Sequence, residues 1–186
     1  MKHIILYPTD TLYGLGVDAT DPEAIHALNE LKGRPDGKHI SIIVADMAMM
    51  AAYAEVTPLA QKLADAFLPG ALTLVLTPKF NFSEQLTAGT NEIGIRIPKK
   101  ENILMLVREL GKPLTATSAN VSGMEPERTV QKILAQFGER ANMVTQIIDE
   151  GELVESRAST TVDARGEVPV VLREGVISKD EIMYLV

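Results

Sequence analysis

Short apolar runs alternate along this chain with stretches of helical period, the pattern of a layered fold that mixes α and β elements. Ile4-Ile5-Leu6-Tyr7 is continuously apolar and predicts a buried strand ended by Pro8. Ile40 to Val44 and Leu72 to Leu76 predict two more. Ile93, Ile95 and Ile97 alternate with Gly94 and Arg96, so a strand there buries the isoleucines and turns Arg96 to the opposite face. The first helix follows Asp21-Pro22, an N-cap and first-turn pair. Its apolar face is Ala24, Ile25, Leu28 and Leu31, and Gly33 and Pro35 end it. Further helices are predicted from Asp46, from Thr57-Pro58, from Asn102 to Leu110 before Gly111, and from Thr129 to Phe137 before Gly138. The methionines of Met47 to Met50 read as core filler on the second of these helices. Strands then dominate to Leu172, and Ser178-x-x-Glu181 is a capping box for a short last helix.

Composition narrows this picture. With 186 residues, 46% apolar and 23% charged, the chain can bury the core of one domain spanning 1–186, which excludes disordered and fibrous classes. No apolar run approaches the roughly 20 residues that cross a bilayer, and the N-terminal residues read as a strand rather than a secretory segment. The expectation is a cytoplasmic protein with no membrane partner. Cysteine is absent, which excludes disulfides, thiolate catalysis and zinc-cysteine sites. His3, His26 and His39 are scattered and lack the helical spacing of a metal-binding pair. Eighteen Lys and Arg against 25 Asp and Glu give a net charge of −7, the wrong sign for a protein that mainly neutralises nucleic-acid phosphates.

Against that acidic background, Lys32, Arg34 and Lys38 crowd the end of the first helix with Asp36 as the sole counter-charge. Such a cluster serves an anion, since Arg forks two oxygens and Lys adds a point charge; it equally suits a helix C-terminus. There is no Walker lysine motif. Tyr7 to Gly16 reads as an extended loop of hydroxyls and glycines where backbone approaches a ligand. Within it, Gly14-x-Gly16-x-x-Ala19 is a weak dinucleotide match, because the glycines lie beyond the strand end. Thr115 to Gly123 is a strand-to-loop segment dense in small donors, which suits phosphate oxygens better than nucleophilic catalysis, since no G-x-S-x-G elbow surrounds Ser118. Ser159 to Asp163 and Arg173-Glu-Gly175 read first as strand residues.

In this order, seven segments resemble the YrdC/TsaC family of threonylcarbamoyl-AMP synthases. They are Pro8-Thr-Asp-Thr-Leu-Tyr-Gly-Leu-Gly16, Lys32-x-Arg34-Pro35, Pro69-Gly-Ala-Leu-Thr73, Gly94-Ile-Arg-Ile-Pro98, Thr117-Ser-Ala-Asn-Val-Ser-Gly123, Ser159-Thr-Thr-Val-Asp163 and Arg173-x-Gly175. The resemblance implies a twisted open sheet of mixed parallel and antiparallel strands, flanked by helices around a concave basic cavity. It implies a nucleotidyltransferase that converts L-threonine, bicarbonate or CO2 and ATP to L-threonylcarbamoyl-AMP and pyrophosphate. A separate transferase complex would then modify an adenosine of the tRNA anticodon loop, and contact of this chain with tRNA would be weak. On the resemblance, Lys32, Arg34 and Ser118 are catalytic. Lys38, Asn120, Ser122 and Arg173 join them around ATP, with Mg2+ on the phosphate oxygens and no protein metal ligand. Thr9, Tyr13, Arg96 and Ser159 meet L-threonine.

Two positions depart from the family pattern: His39 stands where many relatives have proline, and Arg157-Ala158 precedes Ser159 where a glutamate-serine pair is common. The chain ends soon after Arg173, so the C-terminal domain of longer relatives is expected to be absent. Two other readings stay open: an RNA-binding module on the same concave surface, and carbamoyl transfer to a different acceptor.

Overall fold

The computed structural model describes residues 3–34 and 38–185. The first strand, β1 (Ile4–Pro8), pairs antiparallel with β2 (Tyr13–Gly16), and Pro8 lies opposite Tyr13. The segment expected as a loop from Tyr7 to Gly16 is therefore a hairpin, and its glycines serve packing. A Cβ on Gly14 would lie 2.9 Å from Cζ of Tyr7, and one on Gly16 would lie 2.5 Å from Cγ of Leu114. The Tyr7 ring lies across both glycines and donates its hydroxyl to the Thr115 carbonyl at 2.9 Å.

Helix α1 (Pro22–Lys32) begins where Asp21 accepts from the backbone of Glu23 and Ala24, and ends where Gly33 takes the left-handed conformation at φ 57°. The expected stop at Pro35 lies outside the described residues. There follow β3 (Ser41–Ile43), α2 (Met47–Tyr53), α3 (Pro58–Phe67), β4 (Leu72–Leu76) and a short α4 (Glu84–Thr87) that the hydrophobic pattern does not show. Helices α2 and α3 start where expected, with Asp46 and Thr57 as their N-caps, and Met50 is fully buried. Next come β5 (Ile93–Arg96), α5 (Glu101–Leu110), β6 (Leu114–Ser118) and α6 (Val130–Phe137). Beyond them the strand-rich expectation holds only in part. A 3-10 turn (Gly138–Met143) precedes β7 (Val144–Ile147), and twelve residues without a strand separate β7 from β8 (Thr160–Asp163). After β9 (Val170–Arg173), α7 (Lys179–Leu185) starts on the expected capping box, with the Ser178 N–H donating to Glu181 at 2.9 Å.

The nine strands form one mixed sheet in the order β7-β1-β2-β6-β3-β5-β4-β8-β9. The β1/β7, β3/β5 and β4/β8 pairs are parallel and the others antiparallel. Strand alternation gives the sheet two faces. One presents Ile42, Leu72, Leu74, Ile93, Ile95 and Val162 to a core shared with α1, α3 and α6. The other packs a smaller cluster of Ile5, Tyr7, Ile43 and Leu114 against Ile103 and Val107 of α5. Ser41, Thr73, Arg96 and Ala116 lie on this same face and line a cavity in the sheet.

Candidate active site

The cavity measures ≈ 390 Å³. The β1–β2 turn supplies Thr9, Thr11 and Leu12, the end of β6 supplies Thr117 and Ser118, and β8 and β9 bring Ser159 and Arg173. Arg34 enters from the end of α1 and Arg96 from β5. Three arginines thus line the cavity, while none of the described residues lining it is Asp or Glu. Of the residues expected at ATP, Arg34, Ser118 and Arg173 are in the wall; of those expected at threonine, all four are: Thr9, Tyr13, Arg96 and Ser159.

Arg34 donates to the Thr117 hydroxyl at 3.3 Å and to the His39 carbonyl at 2.5 Å, while its Nε is buried with no hydrogen-bond partner. Burial lowers its pKa from the ordinary arginine value. Lys32, Lys38, Asn120 and Ser122 are not in the wall. Lys32 is only 2% exposed and stands behind it, its Nζ donating to the carbonyls of Ser118 at 2.5 Å and Asn120 at 2.8 Å. Burial, followed by the charges of Arg34 and Lys38, brings its pKa down to about 7. The loop after β6 is equally self-contained. Asn120 donates to the Val121 and Met124 carbonyls and accepts from the Ser118 hydroxyl, and the Ser122 N–H donates to the Lys32 carbonyl at 2.8 Å. Lys32 and Asn120 therefore shape the wall that carries Ser118 instead of facing the cavity.

Arg96 is 6% exposed and held on three sides. Its Nε donates to the Gly70 carbonyl at 2.9 Å, one terminal nitrogen to the Thr11 hydroxyl at 2.9 Å, and the other to Asp10 at 2.7 Å. Two N–H bonds of its five remain for a ligand. Burial lowers its pKa, Asp10 and Tyr7 oppose the shift, and Arg173 adds to it. Arg173 donates to the Ser159 carbonyl at 2.9 Å, and the Ser159 hydroxyl lies 2.9 Å from that of Thr73. The cations of the site thus fall into two groups: Lys32 feels Arg34 and Lys38, and Arg96 feels Arg173.

Thr9 is a turn residue before it is a contact. Its hydroxyl donates to the Leu12 carbonyl at 2.7 Å and accepts from the N–H groups of Thr11 and Leu12, fixing the β1–β2 turn. Tyr13 contributes its ring to the wall but commits its hydroxyl to the segment after β7. That hydroxyl shares its proton between Gly151 at 2.9 Å and Asp149 at 3.1 Å and accepts from the Glu150 N–H at 3.0 Å. Glu150 is anchored in turn by Lys100 at 2.5 Å. His39 lines the cavity with Nε2 3.4 Å from Glu92, while Arg157 lies outside the wall beside Glu174. Sequence reasoning missed Asp10, although it lies inside a quoted segment, and it missed Thr11, Ser41, Thr73 and Pro126 in the wall. Alternation was a signal for Thr73 as for Arg96: it lies between Leu72 and Leu74 on β4, which pairs with β5. Among the described residues no group of three or more His, Asp or Glu comes together as a metal site.

A mixed sheet hollowed on one face into a pocket of arginines and hydroxyls defines an α/β protein with a basic, polar cleft. The family model Sua5_yciO_yrdC, described as "Telomere recombination", matches residues 2–175, and the chain belongs to this Sua5/YciO/YrdC family. It is 34% identical over 183 residues to a threonylcarbamoyl-AMP synthase of Bacillus subtilis, covering 97% of this chain and 52% of the relative. It is 37% identical over 175 residues to a putative threonylcarbamoyl-AMP synthase of Methanocaldococcus jannaschii, covering 94% and 80%. The crystal structure of P. abyssi Sua5 complexed with L-threonine superposes with a TM-score of 0.91 at 32% identity, over 100% of this chain and 54% of that one. The chain therefore spans about half the length of the Bacillus and P. abyssi relatives.

Proposed function

We propose that this chain is an L-threonylcarbamoyladenylate synthase, a nucleotidyltransferase that joins L-threonine, bicarbonate or CO2 and ATP into L-threonylcarbamoyl-AMP and releases pyrophosphate. The observation that carries the reading is the single cavity with two separate cation groups, one around Arg34 and one around Arg96. Such a cavity can hold a polyanion and an amino acid side by side. The relatives named as synthases of this product, and the relative solved with L-threonine, support the same assignment.

In this reading the threonine carboxylate takes the two spare N–H bonds of Arg96, and Thr9, Tyr13 and Ser159 shape the pocket around the amino acid. The ammonium group gives up one proton to solvent, the neutral amine adds to CO2, and the nitrogen gives up a second proton to solvent to leave a carbamate. A carbamate oxygen then attacks the α-phosphorus of ATP, and the bond to the bridging oxygen of pyrophosphate breaks with its electrons leaving on pyrophosphate. The step needs alignment and charge stabilisation more than a strong base. Arg34 receives the phosphates directly, and the Ser118 hydroxyl does so once its proton turns from Asn120 to a phosphate oxygen. Lys32 arranges the Ser118 wall and adds positive charge behind it, Lys38 adds charge from the flank, and Asn120 and Ser122 hold the loop after β6 in place. Arg173, expected at ATP, is read here on the amino-acid side instead, since it donates to the Ser159 carbonyl and its charge is felt by Arg96. Mg2+ would arrive on the phosphate oxygens of ATP and offset their charge.

The product would pass to a tRNA threonylcarbamoyl transferase complex, and this chain's own contact with tRNA would be weak, in keeping with its net charge of −7. No helix among the described residues is long and apolar enough to cross a membrane, and a cytoplasmic location fits a role in tRNA modification. The test is pyrophosphate release from ATP in complete reactions and in reactions lacking L-threonine or bicarbonate, with mass detection of the adenylate. Dependence on both substrates is expected. Release without threonine would favour carbamoyl transfer to another acceptor, and RNA binding that needs neither substrate would favour the RNA-binding module.

A further inference from the structure

Three arginines line one cavity, and among the described residues only Arg96 has a carboxylate partner there. Arg34 donates to a hydroxyl and a carbonyl, and Arg173 to the Ser159 carbonyl. Asp10 does not line the cavity, yet its carboxylate sits 2.7 Å from Arg96, with side chains 18% and 8% exposed respectively. It also accepts from the Lys99 N–H at 3.2 Å, which ties the β1–β2 turn to the chain leaving β5. A carboxylate in this position orients Arg96 and also subtracts charge from a site lined by arginines, which weakens its pull on a more highly charged anion.

We propose that Asp10 is a positioning and charge-setting residue: it holds the Arg96–Arg173 corner at a single net positive charge, so that the corner accepts a monovalent carboxylate and refuses phosphate. The physical reason is matching. Both arginines line the cavity and Arg173 is near enough to disfavour the charge of Arg96, so together, uncompensated, they would form a doubly positive cradle for a phosphate group. ATP and pyrophosphate would then occupy the amino-acid corner in competition with threonine. With Asp10 in place, a dianionic group meets a corner that neutralises only half its charge after losing its water. The phosphates are left to the Lys32, Arg34 and Lys38 group, where no described residue supplies a counter-charge in the wall. Asp10 also fixes which guanidinium N–H bonds face the ligand, because it and Thr11 occupy one N–H on each terminal nitrogen.

The inference rests on the reading that the threonine carboxylate sits on Arg96, but its main test does not need threonine. Calorimetric titration of pyrophosphate into the wild-type protein is expected to show one site, and into Asp10→Asn two, the second lost when Arg96→Gln is added. Asp10→Asn with one site only would overturn the proposal. Asp10→Glu, which keeps the charge, should return the count to one; a second site there would overturn it as well. Should Asp10→Asn fail to fold, the wild-type protein still decides the matter. The aminophosphonate analogue of threonine, dianionic where threonine's carboxylate is monoanionic, should bind roughly tenfold or more weakly than L-threonine. Equal or tighter binding would contradict the proposal. A wild-type protein that binds no L-threonine would remove the carboxylate assignment, while the pyrophosphate count in Asp10→Asn would still decide whether Asp10 sets the charge.

Discussion

The central strands bury both of their faces, yet the two faces could hardly differ more in chemistry. Ile42, Leu74 and Ile95 point to the side that α1 and α3 cover, whereas Ser41, Thr73 and Arg96 from the same strands point to the side that holds the cavity. Burial of the first set is satisfied by other side chains, and dispersion and dehydration account for it. The second set is polar and charged, and its hydrogen bonds are only partly met from within. Arg96 keeps two N–H bonds in reserve and Arg34 keeps a buried Nε without a partner. A buried face with unspent donors is completed by a ligand, and this difference between two sides of one strand locates the site.

The contrast can be broken from either side. The largest effects are expected on the polar face. Truncating one partner of a buried charged pair costs about 2–5 kcal/mol, so Arg96→Ala, which strands Asp10, should raise the KM for threonine by a factor of roughly 30 or more while altering that for ATP little. Arg34→Ala should do the reverse, and steady-state kinetics with each substrate varied in turn reads both. Equal effects on the two substrates would erase the division of the cavity.

On the apolar face, Leu74 is fully buried in the main core. Leu74→Ala should lower unfolding stability by about 2–5 kcal/mol, measured by urea denaturation, with the KM values of the surviving folded protein unchanged.

Lys32 lies between the two regimes, a cation buried behind the polar wall. Its pKa of about 7 in the folded chain, against 10.5 ordinarily, means that the unfolded chain holds a proton the folded one has released between those values. The cost of burying its charge is fully present below pH 7 and is relieved as pH rises towards 10.5. Stability should therefore climb across that window with a slope worth about one proton. Lys32→Met should flatten the climb, which denaturation at a series of pH values between 7 and 9.5 detects.

The smallest effect belongs to the helix that delivers Lys32 and Arg34. Asp21→Ala removes the cap on α1 and should cost about 1 kcal/mol, visible as a lower thermal midpoint with substrate affinities intact.

Much of this was legible in the chain. Alternation at Ile93, Gly94, Ile95 and Arg96 announced both faces of β5 at once, and the cap at Asp21 and the helix starts at Asp46 and Thr57 are local signals that the structure keeps. The β1–β2 hairpin was hidden because Gly14 and Gly16 are small to admit the Tyr7 ring, and glycines inside a strand erase the period that would reveal it. Asp10 was missed because its partner lies 86 residues away and its charge, read locally, belongs to a turn. Lys32 misled for a related reason: its acceptors are main-chain carbonyls 86 and 88 residues on, and a sequence marks no carbonyl as special.

The central claim is that one cavity holds nucleotide and amino acid together, each at its own cation group. Calorimetric titration of L-threonine into the protein, alone and already saturated with a non-hydrolysable ATP analogue and Mg2+, addresses it most directly. Threonine should bind with one-to-one stoichiometry in both cases, at least as tightly in the presence of the nucleotide. Loss of threonine binding once the nucleotide is in place would show a single shared site and contradict the account.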